Sequence, residues 1–167
     1  MTRAYKFLTA DGRGVFSGFM WPLPQGGPGE WVEADVAGCR SGVHACRPAD
    51  LPYWLAPALY EVELEEPLET LSVKVVAPRG RLIRRIDRWN ETTREAYSRM
   101  CFARARELID TAPDLADWEP PPSIELSEAA RIGFIAARIA EQLGGVEAYL
   151  DERRRQTEWL VEQLALD

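Results

Sequence analysis

The chain has 167 residues, 46% of them apolar and 28% charged, with a formal charge of −7. That length and composition suit one ordinary soluble globular domain, able to bury a core without a disulfide or a metal. No apolar run reaches the ~18 residues of a spanning helix, so no membrane partner is expected, and no apolar leader precedes the first strand-like pattern, so a cytoplasmic protein with reduced cysteines is expected.

Charge is unevenly placed. Residues 1–90 carry 11 basic and 11 acidic side chains, while residues 91–167 carry 9 and 16. An acidic helical half repels phosphate backbones, so no nucleic-acid partner is expected. Of the 20 cations only Lys6 and Lys74 are lysines, a bias that reads as the usage of a GC-rich genome.

In chain order, Tyr5 to Thr9 suits a short strand, Asp11 to Gly14 a turn, and Val15 to Trp21 a second strand completing a hairpin. Pro22 to Gly29 is a loop. Trp31 to Ala34 and Val43 to Cys46 read as brief extended pieces, and Pro48 to Leu55 as one or two helical turns limited by Pro52. Tyr60, Val62 and Leu64 alternate with Glu61, Glu63 and Glu65, the pattern of a half-buried strand with a wet face. Leu71, Val73 and Val75 repeat it. Ala77 to Gly80 fits a turn, and Leu82 to Ile86 a returning strand. Short connections favour antiparallel pairing.

From Asn90 the period becomes helical. Thr92 to Glu95 offers a capping box, and Tyr97, Cys101, Ala105, Leu108 and Ile109 share one face of the helix that follows. Residues 112–123, with four prolines, form a stiff linker. A second helix is expected from Ser127 to Leu143, with Ala129, Ile132, Ala136, Ile139 and Leu143 on its inner stripe, ended by Gly144-Gly145. A third carries Val146, Tyr149, Leu150, Leu160, Val161 and Leu164 on one side, where Arg153 and Thr157 suggest a polar groove. The expected architecture is a single α+β domain over residues 1–167: a mostly antiparallel sheet with a short helix in 1–89, packed against three helices in 90–167. The C-terminal helices leave room for a homodimer.

Cys39-Arg40-Ser41-Gly42-Val43-His44-Ala45-Cys46, then Asp50-Leu51, then Leu59-Tyr60-Glu61-Val62-Glu63-Leu64, resembles a group of small actinobacterial and phage proteins. These share a Cys-x-x-Gly-[Val/Phe]-His-x-Cys element, an acidic residue in a short helix and a Glu-Val-Glu strand. The likeness spans about the first 90 residues and implies a bacterial source and this domain, but no activity. Arg3 or Tyr5, then Ser41 to Cys46, then Glu61-Val62-Glu63 is also similar in order to the ADP-ribosyltransferases, and implies Glu61 or Glu63 as the catalytic carboxylate.

The chemistry-bearing residues centre on His44, the only histidine. Its imidazole titrates near neutrality, which suits acid/base work. In an extended segment Cys46 shares its face, as a nucleophile or a pocket wall, and Asp50 could orient the ring. The bland alternative is a packed histidine bonded to main chain. Cys39, His44 and Cys46 could instead hold a metal with Cys101 or Asp50 as fourth ligand, although their spacing matches no standard zinc knuckle. Tyr5, Trp21, Tyr53 and Trp54 would wall a ligand cleft or pack as core. The expected pocket is framed by His44, Cys46, Trp54 and the loop after Trp21. Arg79, Arg81, Arg84, Arg85 and Arg88 should pair across the sheet with Glu61, Glu63, Glu65 and Glu69, or else bind an anion. No Gly-x-Gly-x-x-Gly or phosphate loop appears, so no cofactor is expected. The leading expectation is a cofactor-independent enzyme acting on a small molecule. A non-catalytic binding or interaction module is the other class.

Overall fold

The computed structural model describes residues 1–36, 41–112 and 126–166, the last stretch with side chains from residue 130 onward. They are mixed α+β and form two compact units that divide between Trp89 and Asn90, where the hydrophobic period changes.

The first unit has seven strands in two sheets. β1 (Thr2–Leu8), β4 (Ala58–Glu65), β7 (Arg79–Arg85) and β2 (Val32–Glu33) form one, in the order β1-β4-β7-β2. β3 (Val43–Ala45), β6 (Lys74–Ala77) and β5 (Glu69–Leu71) form the other, in the order β3-β6-β5. Every pairing between these strands is antiparallel. Alternation sends Ala4, Leu8, Val62, Leu64 and Leu82 of the larger sheet, and Val43, Ala45, Val75 and Ala77 of the smaller, into one core with Trp21. The sheets meet at β1, where Tyr5 and Cys46 exchange backbone hydrogen bonds of 2.8 and 2.7 Å.

Three expectations change here. Val15 to Trp21 is no strand: Gly18 adopts φ 67°, and its N–H donates to the Gly14 carbonyl at 2.8 Å, so the segment curls into a tight loop after bridging Leu8 with Gly14. Leu71, Val73 and Val75 do not share one strand. Leu71 pairs with Lys74, making a hairpin that turns at Ser72-Val73. Ala77 to Gly80 is no turn, because the chain bends at Pro78 and runs straight into β7. Gly80 instead permits close approach of the sheets: a Cβ there would lie 2.7 Å from Val43 Cγ1 and 2.9 Å from Leu64 Cδ2.

The glutamate face of β4 is also drier than alternation suggests. Glu61 is 3% exposed, covered by Arg3 at 3.2 Å and Arg84 at 2.7 Å. Arg81 holds Glu63 at 2.7 Å and Arg79 holds Glu65 at 3.4 Å. Glu69 lies in the other sheet, outside this ladder.

In the second unit, α1 (Glu91–Asp110) is capped by Asn90, whose side chain accepts the Thr93 N–H at 3.2 Å, two residues before the expected box. Tyr97, Cys101, Ala105, Leu108 and Ile109 are all buried. α2 (Leu126–Leu164) is two helices broken at Gly145, whose φ of 75° suits glycine. Ile132, Ala136 and Ile139 are buried as expected, but Leu143, Val146 and Leu150 are exposed. The polar feature at Arg153 is internal: its guanidinium donates to Gln156 Oε1 at 2.9 Å, and Gln156 donates to the Gly133 carbonyl at 2.9 Å. The proline-rich stretch 113–123, Ala129's side chain and Cys39 lie outside the described residues.

Candidate functional site

The His44 strand is placed by glycine and by register. Gly42 adopts φ 119°, which side chains other than hydrogen rarely tolerate, and a Cβ there would collide with the Val76 side chain. β3 then pairs His44 with Val76. Val43 and Ala45 enter the core, so His44 faces the opposite side of the small sheet. Lys74, two residues before Val76, shares that face diagonally.

The result is a cationic contact. Lys74 Nζ lies 3.1 Å from His44 Nδ1, and Ser41 O lies 3.4 Å from His44 Nε2. An ammonium only donates, so Nδ1 is the acceptor and Nε2 carries the proton that points to Ser41. Burial, and next the Lys74 charge, push the imidazole below its ordinary value, with the Ser41 carbonyl opposing. His44 is therefore neutral at pH 7.

Lys6 approaches from β1. Its Nζ donates to the His44 carbonyl oxygen at 2.5 Å and stands 4.7 Å from the centre of the Trp21 ring. Burial lowers its pKa to about 8, with the Cys46 sulfur opposing and Lys74 adding to the fall. Lys74 stands likewise over Trp54, 5.9 Å from the ring centre. Trp54 is fixed by donation from its indole N–H to the Val73 carbonyl at 2.6 Å.

These groups line a cleft of about 670 Å³, within the usual range for small-molecule sites. Its outer wall is the loop before Trp21, not the loop after it. Phe16 meets Trp54 edge-on and Phe19 meets Trp21 edge-on, each at 5.8 Å between ring centres. Phe16 is 85% exposed, an unusual cost for a ring that serves only packing. The one carboxylate among the described lining residues, Glu33, pairs with Arg79 at 3.0 Å. Neither Lys6 nor Lys74 has a carboxylate partner among the described residues.

Against the expected set, His44, Trp21, Trp54 and Tyr5 line the cleft. Tyr53 ends the 3-10 turn Pro48–Tyr53, half-buried and off the cleft lining. Cys46 stands in the cleft wall: it is 3% exposed, its thiol donates to the Tyr5 carbonyl at 3.2 Å, and burial with the nearby Asp50 charge raises its pKa, which keeps the thiol protonated. Asp50 does not orient His44. It takes a two-pronged contact from Arg47, at 2.7 and 2.9 Å, and accepts the Arg47 N–H at 3.0 Å, fixing the start of the 3-10 turn. Glu61 and Glu63 are held in the arginine ladder. With Cys39 outside the described residues, its part in a metal set cannot be placed; Cys46 and Cys101 are free thiols, and no three His, Cys, Asp or Glu side chains converge among the described residues.

Lys6 and Lys74 were the missed members. The signal was in the composition: a chain with 20 cations places its only two lysines in this cleft. No protein-family model, curated protein or solved structure matches the chain. No helix of the described residues is long and apolar enough to cross a membrane.

Proposed function

We propose that residues 1–89 bind and process a small anionic molecule with a flat apolar portion, without an organic cofactor. The observation that carries this reading is the convergence of Lys6 and Lys74, both lacking carboxylate partners among the described residues, on a cleft walled by Phe16, Phe19, Trp21 and Trp54. Two ammonium groups with no carboxylate in ion-pair contact among the described residues favour an anion by Coulomb attraction, strengthened where water is partly excluded. The four rings favour a planar body. His44, neutral and hydrogen-bonded to Lys74, supplies a proton acceptor coupled to an ammonium donor.

Calorimetric titration with benzoate against benzamide tests this. The two differ in charge and hardly in shape. Benzoate should bind with a Kd on the order of 1 mM or tighter, fitting its small size, while benzamide binds at least about tenfold more weakly. Equal binding of the two, or none by benzoate, would remove the reading.

A further inference from the structure

Resting on that reading of the cleft, we infer that Lys6 is a covalent amine nucleophile, and that the substrate class is an anion bearing an aldehyde or ketone group. The geometry supplies three requirements at one atom. Lys6 is one of the residues that line the cleft, and it is half-buried and not sealed. Its hydrogen bond to the His44 carbonyl uses an N–H and not the lone pair, so the amine is fixed without being blocked. Lys74 supplies a second positive charge in the same cleft, which disfavours the charged form of Lys6 and can hold the anionic group of the ligand.

A lysine that is partly desolvated and placed beside another cation is activated towards carbonyl compounds. The drop in its pKa to about 8 agrees with this placement. The groups that face the amine are Lys74, His44 and Cys46, and of these the Cys46 thiol stays protonated.

The step balances without an oxidant or reductant. The Lys6 nitrogen lone pair forms a bond to the carbonyl carbon, and the carbon–oxygen π pair moves to oxygen. The nitrogen loses a proton and the oxygen gains one, giving a carbinolamine. Protonation of that hydroxyl expels water, and the nitrogen lone pair closes the iminium. A neutral amine, a carbonyl compound and one proton thus become an iminium and water.

Treatment with 4-carboxybenzaldehyde and borohydride, followed by peptide mass mapping, tests the inference. This probe is planar, anionic and a carbonyl compound, and borohydride reduces an iminium to a stable secondary amine. The adduct should fall on Lys6 and not on Lys74, and should form at least about tenfold faster at pH 7 than on free lysine, because far more of the Lys6 amine is neutral there than of a free lysine. Its rate should climb as pH rises through 8. Lys6→Arg should lose the adduct while its circular dichroism stays native. An adduct confined to the N-terminal amine or spread evenly over both lysines overturns the inference. So does benzoate binding without any Lys6 adduct, and in that case the anion-binding reading survives. Failure of benzoate to bind removes both.

Discussion

The outer face of β4 and the cleft beside β3 both gather positive charge, but only one of them neutralises it. On β4, Glu61, Glu63 and Glu65 each meet an arginine of β1 or β7 within 3.4 Å. In the cleft, Lys6 and Lys74 meet a backbone carbonyl, an imidazole and two indole faces. Matched charges across a sheet serve pairing and register. Unmatched charges in a hollow cost folding free energy unless a ligand arrives to offset them. The arginine-rich stripe was the more conspicuous basic feature, yet its cations are already engaged.

The contrast can be broken at its hinge. Gly42→Ala should have the largest effect, because it forces a side chain into a left-handed backbone position and against Val76. A loss of about 2–4 kcal/mol in denaturant unfolding is expected, together with loss of benzoate binding. An unchanged midpoint would show that β3 reaches its register without the glycine. Glu61→Ala comes next. It strands Arg3 and Arg84, both largely exposed, so the cost is about 1–2 kcal/mol and not the 3–5 of a sealed pair. Its benzoate affinity should stay within a factor of about two, since Glu61 is not among the cleft-lining residues. If affinity collapsed, the two regions would not be separable.

The smallest effect is in pH. His44 has a lowered pKa when folded, so the unfolded chain binds more protons at mildly acidic pH and stability rises with pH. Its contribution is fully present above the unfolded value of about 6.5 and fades as pH falls through the folded value. Between pH 7.5 and 5 the native chain should therefore lose more stability than His44→Gln does. Parallel pH profiles would show that the ring is not held in its neutral form.

Much of the fold was legible because its signals are local. Alternation in Tyr60 to Leu64, the stripe Tyr97 to Ile109 and the glycines at 144–145 gave β4, α1 and the break in α2. The second strand failed because the Ser17 hydroxyl and the positive φ of Gly18 offer the backbone a tighter local alternative. At the site, His44, Trp21 and Trp54 were readable as a cluster. Cys46 lines the same cleft, but its thiol is turned to main chain: β3 ends at Ala45, and Cys46 bridges Tyr5 in another strand, so the i, i+2 rule no longer governs where the sulfur goes. Asp50 was claimed by Arg47, three residues away and able to grip both oxygens. Lys74 reaches His44 only through the β3–β6 register, across thirty residues of chain, and no spacing rule carries that.

β1 has one further property. Arg3 serves the ladder on one side of the strand while Lys6 serves the cleft on the other. Between them, Tyr5 is clasped from both edges, by Glu61 and by Cys46. A single extra residue inserted between Arg3 and Lys6 would flip one of the two cations to the wrong side, and with both edges occupied the strand has little room to bulge out the surplus. Natural variants of this segment should accordingly differ by substitution and hardly ever by length.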